Sequence, residues 1–209
     1  MREPSAAPRA GRYHDGVKAI RILQTIDAPV QPWRNGGGLT RELLAWAPGG
    51  GTDWRLRISV ATISGDGPFS ALPGVRRWIT VLEGGGMRLD WPGRSIELRP
   101  ADAPLAFDGG EPPHCTLLGG TTRDLNLMVR DGVGSMLAAR PGTVQRLGPG
   151  QGGLYAPHGG ALLDERGAAV ELPPQALAWL DVIDEESSWR YESPGPAPCL
   201  AFWLAYRRG

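Results

Sequence analysis

The sequence predicts an all-β protein built as two tandem jelly-roll barrels in one compact chain, and three observations carry that expectation. Residues 57–84 run as strand, irregular rim, strand and tight turn. Apolar segments of the second half recur at roughly ten-residue intervals with turn signals between them, the rhythm of a sandwich or barrel. A short motif also repeats, since Glu97-Leu98-Arg99-Pro100 leads into Ala103-Pro104-Leu105-Ala106-Phe107, and Glu171-Leu172-Pro173-Pro174 leads into Ala176-Leu177-Ala178-Trp179. Both copies read as strand, proline corner and apolar strand, as where a jelly roll passes from one sheet to the other.

Taken in order, residues 1–16 hold nothing to bury and read as a tail. Residues 17–23 read as an edge strand with charges on one side. Residues 32–38 form a loop, and residues 39–46 a strand or, by residue type alone, a short helix. In the opening unit Leu56, Ile58, Val60 and Ile63 are set against Arg57, Ser59 and Ala61, the period-2 pattern of a half-buried strand. Asp66-Gly67-Pro68 and Pro73-Gly74 break the chain, and residues 78–82 restore a β-rich run. Further strands follow at residues 87–91, 96–98, 105–107, 115–118 and 124–129. Residues 131–143 are rich in Gly and Ala and read as the connection between halves. Strands then recur at 144–147, 153–156, 161–163, 168–172, 176–180, 189–192 and 200–206. The predicted division is therefore a first barrel over 17–130 and a second over 144–209.

The chain of 209 residues can hold a sizeable core. Lys plus Arg and Asp plus Glu both number 22, so no overall field favours nucleic acid or an anionic membrane. Neither is expected as a partner. The 31 glycines and 20 prolines punctuate regular hydrophobic segments and so read as turns rather than low complexity. Cys115 and Cys199 lie far apart without CxxC spacing, which fits two ordinary thiols in a reducing cytoplasm. The first residues lack an apolar signal region, and no apolar run approaches the ~20 residues needed to span a bilayer.

Several chemistries can be weighed. A first-row metal wants two or three imidazoles and a carboxylate from adjacent strands. His14, His114 and His158 all fall in the tail or loops. Laying the cupin metal pattern over residues 57–84, with its closing glycine on Gly84, puts the histidine positions near Ala71 and Pro73, the carboxylate on Arg77 and the third histidine near Leu105. No metal and no other cofactor is expected. The loop Asn35-Gly36-Gly37-Gly38 suggests an anion nest, but a P-loop needs a following Lys-Ser or Lys-Thr and a helix. The loop reads instead as a turn requiring φ > 0, with Asn35, Thr40 and Glu42 kept as rim or pocket groups. Trp33, one of 8 tryptophans, is a candidate stacking surface as well as an ordinary packing group.

The polar strand faces are the most informative set. Arg57, Ser59 and Ala61 share one side, and Asp124, Asn126 and Met128 repeat the pattern. If the apolar faces are core, these faces look into a barrel mouth. Arg57 and Arg77 would then hold a carboxylate, Ser59, Ser70 and Asn126 would hydrogen-bond it, and Phe69 would form an apolar wall. The alternative is a solvated outer face with an Arg57–Asp124 salt bridge. No catalytic motif stands out, since Ser59, Ser64 and Ser70 lack a motif-bound base and no G-x-S-x-G elbow occurs.

With these residues assembled, the sequence resembles the HutD/Ves family. The resemblance lies in Pro32-Trp33-Arg34-Asn35-Gly36-Gly37-Gly38-Leu39-Thr40-Arg41-Glu42, Arg57-x-Ser59-x-Ala61 and Asp66-Gly67-Pro68-Phe69-Ser70. Pro73-Gly74, Arg77, Leu82-Glu83-Gly84 and Asp124-Leu125-Asn126-Leu127-Met128 complete it. One departure stands out: the family places Trp directly before the strand arginine, whereas here Leu56 precedes Arg57 and the Trp-Arg pair is Trp54-Arg55. Either Arg55 or Arg57 is therefore the pocket arginine. The resemblance implies a bicupin without the usual metal ligands. For some members it implies a regulatory role in histidine utilisation through binding of an intermediate such as formylglutamate. The leading expectation is a regulatory binder of a small carboxylate. Its rivals are a metal-independent isomerase or epimerase, which requires a buried carboxylate or Tyr in the cavity, and a structural protein that dimerises through the second barrel.

Overall fold

The computed structural model describes residues 20–195 and 200–209. The expected tail over 1–16, His14 and Cys199 lie outside them. The strands are β1 (Ile20–Gln24), β2 (Val30–Pro32), β3 (Gly38–Trp46), β4 (Leu56–Ile63), β5 (Gly67–Pro68), β6 (Val75–Glu83), β7 (Met87–Trp91), β8 (Arg94–Leu98), β9 (Leu105–Asp108), β10 (His114–Leu117) and β11 (Thr122–Arg130). The second half holds β12 (Val133–Ala139), β13 (Val144–Leu147), β14 (Gly150–Ala156), β15 (Gly160–Asp164), β16 (Ala169–Leu172), β17 (Ala176–Ile183), β18 (Ser187–Glu192) and β19 (Ala201–Arg207). Among the described residues helix is confined to two three-residue 3-10 turns, and no helix is long and apolar enough to cross a membrane.

Strand order shows the duplication directly. One barrel pairs the run β4-β11-β6-β9 with the sheet β5-β10-β7-β8, and the other pairs β12-β19-β14-β17 with β13-β18-β15-β16. Each strand from β4 to β11 has its counterpart eight strands later, whereas β2 and β3 extend the first unit's sheet alone. The sequence echo is part of this correspondence, because it spans β8 to β9 in one unit and β16 to β17 in the other.

Three apolar clusters divide the molecule into four layers of sheet. Ile79, Met87, Leu89, Phe107 and Cys115 fill part of the first barrel, whereas Leu154, Leu162, Leu172 and Trp189 lie in the second. Between them the outer faces of β4 and β11, with Leu56, Ile58, Val60, Leu125, Leu127 and Val129, pack on Tyr155, Leu177, Trp179 and Phe202. Strand alternation therefore serves two interiors at once. The odd-even pattern sends one set of side chains between the barrels and the other into the first barrel.

Two boundaries differ from those predicted. Residues 131–143 are not simply a connection, because β12 occupies Val133–Ala139 and pairs along its length with β19. Its glycine reflects close packing: a Cβ on Gly134 would sit 2.7 Å from Val129 Cγ2 and 3.1 Å from the Trp78 ring. The edge strand also belongs elsewhere. β1 pairs with β17 of the second unit, from Ile20 opposite Leu180 to Gln24 opposite Ala176, and Arg21 forms an ion pair of 2.6 Å with Asp181. Residues 39–46 are strand, not helix, because β3 lies between β2 and β4 and supplies Leu43 and Leu44 to the inter-barrel core.

Candidate functional site

The inward faces of β3, β4, β11 and β6 build a cavity of about 660 Å³ in the first barrel. Register places its polar groups in rows across the sheet. Arg57 on β4 and Arg77 on β6 flank Met128, Ser59 and Ile79 flank Asn126, and Ala61 and Val81 flank Asp124. The rim is supplied by residues 31–35 and by Pro68, Phe69 and Ser70.

The polar groups at its base are buried. Ser59 is 2%, Arg77 6%, Asp124 1% and Asn126 4% exposed, so they are interior side chains facing a void rather than surface. The guanidinium of Arg77 lies 5.0 Å from the ring centres of both Phe69 and Phe107, which clamp it by cation–π contact. One of its terminal nitrogens donates to Asn126 Oδ1 at 3.0 Å. Asn126 Nδ2 in turn donates to Asp124 Oδ1. Arg77 Nε and Asp124 Oδ2 have no protein partner. Burying such groups unpaired costs at least about 1–3 kcal/mol each, a cost that binding sites commonly carry.

Burial sets the ionisation of both. It pulls Arg77 down to about 10, opposed by the attraction of Asp124 and reinforced by the like charge of Arg57. Arg77 is therefore charged at neutral pH. Burial pushes the Asp124 carboxyl up to about 7, against the pull of Arg77 and the hydrogen bond from Asn126. Asp124 is thus poised between neutral and ionised at physiological pH.

The structure brings Arg57, Ser59, Phe69, Ser70, Arg77, Asn126, Trp33, Asn35 and Thr40 to one cavity. Glu42 stands behind it, with Oε2 2.7 Å from Arg57 Nε, an ion pair rather than an aligned hydrogen bond. The alternative Arg57–Asp124 salt bridge is not formed, because Glu42 holds Arg57 while Asp124 points to the row of Asn126. Arg57 is the pocket arginine, and Arg55 turns away to Asp53 and Asp131 at 3.3 and 3.8 Å. Trp33 donates from Nε1 to Thr40 Oγ1 at 2.8 Å, which fixes its ring at the rim. Asn35 Oδ1 accepts from Gly37 N at 3.1 Å while Gly36 has φ 71°, so the glycine loop is a side-chain-braced turn. Asp124, Arg34 and Gln31 also line the cavity and escaped the sequence reading as site residues. For Asp124 the signal was present in its alternation with Asn126 and Met128.

The sequence model of the HutD family matches residues 26–190, most of the chain. The chain belongs to the HutD family. A curated relative from Pseudomonas putida, an uncharacterised 21.2 kDa protein in the hutC 3′ region, is 44% identical over 113 residues, covering 54% of this chain and 59% of that protein. Protein Ves of Citrobacter koseri is 41% identical over 103 residues, covering 49% of this chain and 53% of its own length. The chain thus spans little more than half the length of these curated relatives. Among solved structures, a conserved protein of unknown function from Pseudomonas aeruginosa PAO1 superposes with TM-score 0.79 at 30% identity, covering 90% of this chain and 98% of its own. HutD from Pseudomonas fluorescens SBW25 gives 0.75 at 27%, covering 90% and 100%. A cupin 2 barrel protein from Leptotrichia buccalis, at TM-score 0.51 and 9% identity over 81% of this chain and 89% of its own, shares the fold.

A cupin barrel invites a metal, and the residues of this HutD-family cavity do not fit one. Its lining offers one carboxylate, Asp124, no imidazole and no thiolate, and it carries the guanidiniums of Arg34, Arg57 and Arg77. Such a donor set repels a cation and favours an anion.

Proposed function

We propose that the first barrel binds a small carboxylate and that the protein serves a regulatory role linked to histidine utilisation, with a formylglutamate-type ligand the first candidate. The observation that carries this reading is Arg77: a buried guanidinium, clamped by Phe69 and Phe107, whose Nε is unpartnered beside the cavity. Arg57 stands two strands away in the same row. Cavity-lining charge runs to three arginines against one carboxyl group. Asn126, Ser59 and Ser70 supply neutral hydrogen-bonding groups, and Phe69 and Trp33 supply apolar walls. The link to histidine utilisation is supported by family membership and by the P. putida relative of the hutC region.

Calorimetric titration with formylglutamate, glutamate and urocanate tests the reading. At least one binds at or below roughly millimolar concentration. Arg77→Met, which keeps apolar contact with both phenylalanines, lowers affinity by about a hundredfold or more. Folded protein that binds none of the three contradicts the proposal.

Asp124 supports a second reading, a metal-independent acid–base enzyme such as an isomerase or epimerase. It is the buried cavity carboxylate that such chemistry requires, and its carboxyl titrates where a general acid or base is most effective. Incubation with glutamate or formylglutamate in deuterated water tests this by loss of the α-proton NMR signal. No exchange beyond the Asp124→Asn control contradicts it.

A further inference from the structure

Resting on the carboxylate reading, we propose that the cavity takes its anionic guest together with a proton, and that Asp124 is the residue that holds the proton and donates it as a hydrogen bond to the guest. The geometry poses a problem that this solves. Asp124 and Arg77 are joined through Asn126, which accepts from the guanidinium and donates to the carboxyl group. When Asp124 is ionised, Arg77 already has its counter-charge, and an incoming anion meets a second, buried negative charge. When Asp124 is protonated, Arg77 is released for the guest, and the unpartnered Oδ2 becomes the place for an O–H donor beside the cavity.

The groups facing Asp124 leave it as the site's proton holder. From β6 comes Arg77, and from β4 comes Arg57, which Glu42 of β3 neutralises at 2.7 Å. From the facing sheet comes Cys115 on β10, whose thiol burial, together with Asp124, Asp66 and Asp90, pushes up to about 12. It cannot release a proton near neutrality. Asp124 itself is raised by burial to about 7, and an anion bound nearby raises it further. Between those two values binding must take up a proton, and affinity must fall as pH rises.

The test is calorimetry with formylglutamate as probe at pH 8 in two buffers of different ionisation enthalpy, with a pH series from 6 to 9. The expected result is uptake of about one proton per site and a Kd that rises about tenfold per pH unit above the titration of Asp124. Asp124→Asn, a fixed hydrogen-bond donor, binds with no proton uptake and a flat pH profile, whereas Glu42→Gln retains the uptake. Carbon-13 NMR of the wild-type carboxyl groups, without ligand, shows Asp124 titrating near neutrality. Binding with no proton uptake overturns the inference and leaves the carboxylate reading standing. An Asp124 midpoint below about 4 overturns it whether or not any variant folds. Failure of formylglutamate, glutamate and urocanate all to bind removes the carboxylate reading and this inference with it.

Discussion

Arg77 and Asp124 sit on neighbouring strands of one wall, and burial moves both toward their neutral forms. The consequence for stability follows from Asp124. Its carboxyl titrates at about 7 in the folded protein against an ordinary 3.8, so between these values the folded chain holds a proton that the unfolded chain has lost. Stability from this group is therefore fully present below about pH 4, declines as pH rises to about 7 and is flat above. The total change is on the order of 4 kcal/mol. Denaturant unfolding at a series of pH values checks it. Asp124→Asn gains on the wild type by about that amount between pH 4 and 8, and a constant difference across the range contradicts the account. The arginines, Ser59 and Asn126 were legible as a shared strand face. The role of Asp124 was not, because an aspartate alternating with apolar residues reads equally well as the partner of a surface arginine. Only burial and the capture of Arg57 by Glu42 decide between them.

At the level of elements, alternation in β4 and β11 was visible in sequence, and β6 only as a β-rich run, but register was not. Two bulges set it, one between Glu42 and Leu44 and one between Arg123 and Asp124. The first lets Leu43 and Leu44 both enter the inter-barrel core; the second puts Glu83 opposite Arg123, its ion-pair partner at 3.1 Å. A bulge shifts pairing without changing composition, so local pattern cannot reveal it. The strand β12 was concealed for a related reason. Gly134 looks like linker, yet it is small because Val129 and Trp78 press against it. Gly134→Val therefore overpacks the β11–β12 contact and costs about 1–3 kcal/mol in denaturant midpoint at unchanged m-value. A neutral effect would show that β12 is loosely held.

On the scale of the molecule, the duplication was readable from a motif of a few residues, because a proline corner between strands is a local event. How the barrels join was not readable. The largest apolar faces of both units meet between the two inner sheets, β1 crosses from the start of the chain to the second unit, and Thr25 hydrogen-bonds Tyr155 at 3.1 Å. Neither barrel buries its own outer face alone, so calorimetric unfolding is a single cooperative transition, and two resolved transitions would contradict this shared core. The shared core also fixes the outer side of β4 and β11, which leaves their inner side free to line a rigid cavity. The most direct test of that cavity's role is a high-resolution crystal structure of the protein soaked with formylglutamate. The account predicts a carboxylate in density between Arg57 and Arg77, within hydrogen-bond distance of Arg77. Well-defined density for water alone at that position, in crystals whose cavity is open to solvent, would contradict it.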